Sequence, residues 1–304
     1  MRLAVAATPS VALPTLDWLI SCEHSLEFII TRPDKPAGRG NVLQESPVSS
    51  WANENSFKAL KPEYSQELAI PLQSIDCVIT IGYGVILPPS VLTVPKFGFI
   101  NLHFSLLPAW RGAAPVQRTI EHGDTSSGIT VFALDAGMDT GPIYLQKELQ
   151  IAKNENSGEL LQRMAVLGPS AIAETLRLLE KGIAPTPQSE DGVSLAGKIS
   201  KLDARIDWDK SATRISRQIR AFTPDPGAWT IWRESRVQIT EARVSSDKSA
   251  SLVGEITIES GNLIVGCADN TALHILEIQP AGKRAMSASD WLNGARCTSG
   301  ERFD

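Results

Sequence analysis

The pattern of apolar segments changes between the two halves of the chain, and this change constrains the fold more than any other feature. In the first half, apolar runs such as DCVITI at residues 76–81 are separated by longer stretches with helical periodicity. Strands that alternate with helices are typical of a mostly parallel sheet. After residue 200, short apolar runs follow one another closely, as in a small β-barrel such as an OB-fold. The 304 residues are therefore predicted to form two domains.

The connection between the two patterns is GIAPTPQSEDGVSLAG, at residues 182–197. Its Pro, Gly, Ser and acidic residues are typical of an interdomain segment. We predict a Rossmann-like α/β domain at residues 1–184, a linker at 185–200 and an OB-like domain at 201–304. The predicted strands are 3–6, 26–30, 76–81, 99–102, 128–134 and 143–151 in the first domain and 229–232, 237–242, 254–258, 263–267 and 272–278 in the second, with helices at 157–181 and 211–221.

Composition narrows the class of protein. No apolar run approaches the roughly 18 residues of a membrane span, and the N-terminus lacks the pattern of a signal peptide. A soluble, cytoplasmic protein without a membrane partner is expected. The four cysteines show no metal-ligand spacing, so no metal is expected either. The net charge of −5 argues against a uniformly basic surface, but a local basic patch could still bind nucleic acid.

Three polar residues are candidates for chemistry. Asn101 and His103 stand two residues apart at the end of a predicted strand, so their side chains share one side if the strand continues through His103. Asp139 lies between glycines in DAGMDTGPI. An amide donor, an imidazole and a carboxylate in one cleft suit acyl transfer to an amine. Taken singly, each residue type is more often structural, in a turn, a cap or a packed core.

Other functions have weaker support in the residues. The first predicted strand is followed by AATPSVA, which lacks the GxGxxG fingerprint of dinucleotide-binding enzymes. Ser105 is not in a GxSxG motif, and Cys22 and Cys77 are not near the three candidates in sequence, so a covalent acyl-enzyme is disfavoured. A nucleic-acid-binding module without activity is the alternative from another class, and the presence of Asn101, His103 and Asp139 argues against it.

NLHFSLLPAWRG at residues 101–112, followed by DAGMDTGPI at 135–143, resembles the folate-dependent formyltransferases. The resemblance continues in TRPDKPAGRG, IGYGVILP, IRAFTPDPGAW and QPAGKRAMSASDWL, which are similar to segments of the members that act on methionyl-tRNA. It therefore covers nearly the full chain. The second domain favours those members over the single-domain formyltransferases that act on a purine precursor and over the related hydrolases.

The resemblance implies a role for each candidate residue. Asn101 would bind the formyl oxygen, His103 would assist proton transfer, and Asp139 would tune His103. The donor would be 10-formyltetrahydrofolate and the acceptor initiator methionyl-tRNA, with the enzyme expected to be a monomer. The residues implied to line the pterin pocket are Val85, Ile86, Leu87, Ser105, Leu106, Leu107 and Pro108.

Two basic regions could contact the tRNA. The resemblance implies that the loop holding Arg32, Lys35 and Arg39 reaches the acceptor end, with Arg39 as the preferred contact and Lys35 as the second. Without the resemblance, the same loop would be interpreted as a solvated surface. In the second domain, arginines recur every three residues on a predicted helix, at positions 214, 217 and 220. A tRNA-binding face and an ordinary solvated face remain equally good interpretations of that spacing.

Overall fold

A seven-stranded sheet forms the centre of the first half of the chain. The computed structural model describes residues 1–37, 42–246 and 252–304. The strands of this sheet are β1 (Arg2–Ala7), β2 (Ser25–Ile30), β5 (Ala59–Leu60), β6 (Cys77–Ile81), β7 (Phe99–His103), β9 (Ser126–Ala133) and β10 (Ile143–Gln150). They are ordered β10-β9-β7-β6-β1-β2-β5. The five strands from β7 to β5 are parallel, whereas β9 and β10 are antiparallel to their neighbours, which confirms the predicted mostly parallel sheet.

Burial on both faces explains the composition of the central strands. Every residue of β6, CVITI, is buried, and β1 is buried from Leu3 onward. Such continuous apolar runs are typical of parallel strands covered on both sides. The helices of the first half are α1 (Leu13–Ser21), α2 (Pro47–Glu54), α3 (Pro89–Leu92), α4 (Pro115–His122) and α5 (Ser157–Glu180).

Two short pairs of strands accompany the central sheet. The hairpin of β3 (Lys35–Ala37) and β4 (Val42–Gln44) is antiparallel, and β8 (Arg111–Gly112) pairs in parallel with β11 (Leu195–Ala196). Thr186 also exchanges backbone hydrogen bonds with Ile143, at 2.7 and 2.8 Å. Much of the segment predicted as a linker therefore packs beside the central sheet, because its backbone is paired at both ends.

The second half is built on an antiparallel sheet of six strands. These are β12 (Trp229–Trp232), β13 (Ser235–Val244), β14 (Ile256–Glu259), β15 (Asn262–Cys267), β16 (Thr271–Pro280) and β17 (Met286–Ser287), accompanied by α6 (Ala212–Phe222) and α7 (Ala288–Ala295). The main path is β12-β13-β16-β15-β14, and β17 pairs with β16. The inner faces bury a core that includes Ile219, Val265 and Trp291.

Residues 300–304 connect the two edge strands of this second sheet. The carbonyl of Glu301 accepts a hydrogen bond of 2.7 Å from Ile256 N, in the edge strand β14. Asp304 N donates to the Ile231 carbonyl of the opposite edge strand, β12, at 2.9 Å. Because one short segment reaches both edges, the sheet must be curved. The predicted small barrel-like β domain is therefore confirmed as a curved antiparallel sheet whose edge strands are bridged by residues 300–304.

The chain divides into two compact units. The first comprises residues 1–115, 126–150 and 161–196, and the second comprises 116–125, 151–160 and 197–304. The domain limits inferred from sequence stay a prediction. The predicted strands are all present, with ends within two residues of the predicted ones. Within the described ranges, no helix has both the length and the apolarity that a bilayer crossing requires.

Candidate active site

His103 lies at the last position of β7, so the strand does continue through it. The alternation of side chains along a strand then places Asn101 and His103 on the same side of the sheet. The His103 side chain is buried, and its ring meets the ring of Phe132 edge to face, with centroids 6.3 Å apart. Strand β9, which carries Phe132, thus supports the imidazole from the neighbouring position in the sheet.

The two ring nitrogens of His103 have different partners. Nε2 lies 3.0 Å from the carbonyl oxygen of Trp110, which can only accept, so Nε2 carries the proton. Nδ1 lies 3.8 Å from Oδ2 of Asp139. Burial lowers the pKa of His103, and the Asp139 carboxylate and the Trp110 carbonyl oppose that shift only in part. The ring is therefore neutral at pH 7, with a lone pair on Nδ1 that can accept a proton.

Asp139 reaches His103 from an unexpected direction. Strand β9 is antiparallel to β7, so the chain leaves β9 near the beginning of β7, opposite Ile100. The loop that follows must fold back to bring Asp139 beside His103. The backbone of Asp139 has a φ of 56°, in the left-handed region that Asp and Asn tolerate better than most residues. Its Oδ2 also accepts a hydrogen bond of 2.7 Å from Gly112 N.

The Asn101 amide is oriented by a neighbour on β6. Thr80, a buried residue paired with Asn101 in the sheet, has one hydroxyl hydrogen, which is shared between two acceptors: Asn101 Oδ1 at 2.9 Å and the Ile100 carbonyl oxygen at 3.0 Å. Both hydrogens on Nδ2 of Asn101 are thereby directed away from Thr80. An amide NH₂ group held in one orientation is suited to binding an oxygen atom that becomes negatively charged.

Gln188 is a residue at this site that the sequence did not indicate. Its Nε2 donates to the carbonyl oxygens of Asp139 (2.9 Å) and Gly141 (2.8 Å). Its Oε1 accepts from Arg111, at 3.1 Å from Nε and 2.6 Å from an Nη nitrogen. A cavity of about 450 Å³, lined in part by Arg111, Thr140 and Gln188, borders this network. Gln188 lies in the Pro/Ser-rich connection, where no local pattern distinguishes it from a solvated loop residue.

The residues implied to contact folate lie on loops that leave the same edge of the sheet. Parallel strands β6 and β7 are neighbours, so the loops after Ile81 and after His103 begin side by side. The side chains of Leu87, Ser105 and Leu107 are buried, and Ser105 Oγ donates to the Ala109 carbonyl at 2.6 Å. Leu106 and Pro108 are partly buried, Val85 is exposed, and Ile86 is 89% exposed. An apolar surface is thus available on the loop after β6.

The three basic residues of the predicted tRNA loop have separate outcomes. Arg39 lies outside the described residues. Lys35 is exposed in β3. Arg32 is partly buried near Tyr83 and Gly84, where a side chain at position 84 would come 3.9 Å from its guanidinium. Arg32 therefore lies against the loop implied to bind folate.

The arginines of α6 do not form a uniform basic face. Arg217 donates to the His122 carbonyl at 3.0 Å, and Arg220 donates to the Glu155 carbonyl at 3.0 Å. Burial lowers the pKa of Arg220. These two side chains fasten segments of their own unit, and Arg214 is exposed. Among the described residues, no cluster of His, Cys, Asp and Glu could hold a metal ion.

Comparison with known proteins gives consistent matches over the chain. Residues 1–176 match the family model described as "Formyl transferase", and 198–296 match "Formyl transferase, C-terminal domain". A methionyl-tRNA formyltransferase of Salinispora tropica is 42% identical over 306 residues, covering 99% of both chains.

Two solved structures share the fold. The N-formyltransferase from Helicobacter canadensis, in complex with folinic acid and dTDP-3-aminofucose, has a TM-score of 0.70 at 18% identity, covering 92% of this chain and 99% of its own. Methionyl-tRNA formyltransferase from Clostridium thermocellum has a TM-score of 0.58 at 17% identity, covering 88% and 100%. At these identities, the two structures support the architecture of the chain rather than the role of any side chain.

Proposed function

The chain belongs to the methionyl-tRNA formyltransferase family, and on this premise we propose that Asn101, His103 and Asp139 carry out its reaction. The enzyme transfers the formyl group of a formyl-tetrahydrofolate to the α-amino group of methionine on initiator methionyl-tRNA. We infer that the donor is the 10-formyl isomer. One observation supports this assignment of residues above all. Nδ1 of His103 lies 3.8 Å from Oδ2 of Asp139, and His103 stands on the same strand, β7, as Asn101.

Proton transfer by His103 follows from its protonation state. The attacking α-amine has an ordinary pKa of about 7.7–8.0, so its neutral NH₂ form, present at pH 7, attacks, and one of its two protons must leave as the nitrogen becomes positively charged on bonding. Nδ1 of neutral His103 accepts that proton as the amine nitrogen bonds to the formyl carbon. The bond between the formyl carbon and the donor nitrogen then breaks, and His103 returns the proton to that nitrogen. Asp139 stabilises the positive imidazolium between these two transfers.

Asn101 stabilises the oxygen on which negative charge develops. Its Nδ2 donors, oriented through Thr80, bind the formyl oxygen more strongly as that oxygen becomes an oxyanion. No nucleophilic side chain is needed, since the substrate amine attacks directly. The Cys77 thiol is a poor competing nucleophile, because it is buried in β6, where burial raises its pKa to about 12.

Replacing Asn101 by Ala should lower kcat by about 10²-fold, the usual effect of removing one oxyanion donor. The KM for charged tRNA should change little, because the lost hydrogen bond matters most in the transition state. Single-turnover formylation at saturating donor measures the effect. The exposed Asn293 on α7 supplies a matched control, and Asn293→Ala should retain wild-type activity. An Asn101→Ala enzyme with more than a third of the wild-type rate would contradict the assignment.

The loop after β6 offers a suitable surface for the folate rings. Apolar side chains that line a concave site are the usual contacts of aromatic ligands, and Val85 and Ile86 are exposed where β6 and β7 end. Leu106 and Pro108, on the loop after β7, complete the proposed pocket. The buried Leu87, Ser105 and Leu107 contribute by fixing the backbone of these loops.

We assign the first contact with the acceptor end of tRNA to Arg39, with Lys35 and Arg32 as flanking residues. The chain on both sides of residues 38–41 is anchored by one lysine, since Lys61 Nζ binds Asp34 at 2.8 Å and Glu45 at 3.3 Å. Lys35 projects from the hairpin between these anchors as an exposed cation. Cations on such a loop bind phosphates through charge, which makes binding sensitive to salt.

Changing Arg39 to Ala should raise the KM for methionyl-tRNA about tenfold while the affinity for folate stays unchanged. Loss of one phosphate contact should also reduce the slope of log Kd for tRNA against log salt by about 1. Separate titrations with tRNA and with folate measure both effects. The exposed Arg177 on α5 provides a control of the same charge, and Arg177→Ala should alter neither titration. Equal weakening of both ligands in Arg39→Ala would count against the assignment.

A competition assay tests the substrate. The enzyme would be given 10-formyltetrahydrofolate with charged initiator tRNA, elongator methionyl-tRNA, glycinamide ribonucleotide and water as competing acceptors. Preferential formylation of initiator methionyl-tRNA is expected. Release of formate to water as the main reaction would contradict the proposed acceptor.

We also infer the organisation in which the enzyme works. Residues 1–184 would hold the catalytic site and 201–304 a domain that binds tRNA, joined by 185–200. Because its acceptor is the charged initiator tRNA, the enzyme would act in the cytoplasm, where translation begins. A monomer is the proposed form, which sedimentation at assay concentrations can measure.

A further inference from the structure

The side chain of Gln188 joins two loops of the first unit. One loop holds Asp139 and Gly141, whose carbonyl oxygens both accept from Gln188 Nε2, at 2.9 and 2.8 Å. The other holds Arg111, whose guanidinium donates to Gln188 Oε1 through two nitrogens, at 3.1 and 2.6 Å. Every polar atom of the amide is therefore used, and its donors and acceptor face different loops.

The same two loops supply the groups that fix the proposed proton acceptor. Trp110, next to Arg111, provides the carbonyl that holds Nε2 of His103 at 3.0 Å. Gly112, on the other side of Arg111, provides the N–H that holds Asp139 Oδ2 at 2.7 Å. The groups that face His103 are thus the Asp139 carboxylate, the Trp110 carbonyl and the ring of Phe132 on β9. Two of these three belong to loops that Gln188 connects.

The backbone of Asp139 needs such external support. Its φ of 56° is a conformation that persists when neighbouring contacts hold it. The two carbonyls bound by Gln188 belong to Asp139 itself and to the residue two positions later, so the amide spans the turn. The segment that carries Gln188 is fixed on either side, by Thr186 against Ile143 and by Ser194, whose Oγ accepts from Trp110 N at 2.9 Å.

We propose that Gln188 is a positioning residue that sets the approach of the Asp139 carboxylate to His103. The inference rests on the roles proposed above for His103 and Asp139. Gln188 acts through the backbone of the Asp139 loop and through Arg111.

Two substitutions separate the donor side of the amide from its acceptor side. Gln188→Glu keeps an acceptor for Arg111 but turns an oxygen toward the carbonyls of Asp139 and Gly141. Gln188→Met keeps the approximate volume and removes both kinds of hydrogen bond. Both variants should lose between about 10- and 100-fold in kcat, the scale of a small misplacement of catalytic groups. The KM for the folate donor should stay within about twofold of wild type.

Titration of His103 by NMR provides a readout that a purely structural residue would not affect. The Asp139 charge raises the pKa of His103, so a displaced carboxylate should move its titration to lower pH in Gln188→Met, which adds no charge of its own. The His103 signal is assigned by its absence in His103→Ala. The exposed Gln66 provides the matched control, and Gln66→Met should leave both kcat and the titration unchanged.

The outcomes distinguish this inference from the proposed chemistry. If Asp139→Asn is inactive while both Gln188 variants keep kcat within twofold and the His103 titration is unmoved, positioning by Gln188 is refuted. In Gln188→Met, a loss of kcat with an unmoved His103 titration would also refute it, because Gln188 would then act elsewhere. If Asp139→Asn is active, the proposed roles fail instead. Should Gln188→Met fail to fold by circular dichroism, Gln188→Glu, which keeps its partner Arg111, decides the question by its kcat, and a kcat within twofold of wild type refutes the proposal.

Discussion

Replacement of His103 by Ala is expected to reduce kcat for formylation by about 10³-fold, within the range for loss of a general base. The physical reason is the neutral imidazole, since burial lowers the pKa of His103 and leaves Nδ1 free to take a proton at pH 7. Single-turnover rates with charged initiator tRNA would measure the loss. Donor binding should change little, because Nδ1 acts on the attacking amine.

The control for this substitution is another histidine of the same chain. His122 lies at the end of α4, its side chain is largely exposed, and His122→Ala keeps the backbone carbonyl that Arg217 binds. Its activity should match wild type. If His103→Ala keeps more than a tenth of wild-type kcat while remaining folded, His103 is not the proton acceptor.

Substitution of Asp139 by Asn should be nearly as damaging, with a fall in kcat of about 10³-fold. Asn tolerates the left-handed backbone at φ 56°, so the loop should keep its shape while the negative charge is lost. Imidazolium would then lack its counter-charge, while the amide oxygen of Asn can still accept from Gly112 N in the place of Oδ2. The pKa of His103 should fall further, since the group that raises it is gone.

Asp135, on the same loop, provides the comparison for Asp139. Its carboxylate accepts from Gly137 N at 3.0 Å and from Thr140 Oγ1 at 2.8 Å, so it stabilises the turn without facing His103. Asp135→Asn keeps an acceptor oxygen and should lose less than tenfold in kcat. Equal losses in Asp135→Asn and Asp139→Asn would mean that the shape of the loop matters and the Asp139 charge does not.

Much of the site can be predicted from local sequence patterns. The polar pair at the end of the 99–102 run predicted two side chains on one side of a strand, and β7 does extend through His103. Apolar runs and turn residues also located the other main strands. These predictions succeed because strand alternation and burial are determined by residues close together in sequence.

The missing parts depend on contacts between residues far apart in sequence. The contact between Gln188 and Asp139 joins residues 49 positions apart. The sequence around either residue contains no pattern that predicts this contact. The route of the Asp139 loop follows from the antiparallel placement of β9, which alternation does not determine. Some missed elements did have signals: Ser46 caps α2 by accepting from Ser49 N, and Pro47 begins that helix, a common start.

The connection of β12 and β14 by residues 300–304 has a consequence for how the chain is made. The ribosome synthesises the polypeptide from the N-terminus onward, so β12 and β14 emerge well before the segment that joins them. Until residues 300–304 follow, both strands have unpaired backbone groups at their outer edges, the kind of surface on which nascent chains associate. The second unit also takes in residues 116–125 and 151–160, so its assembly brings together segments made as far apart as residues 116 and 304.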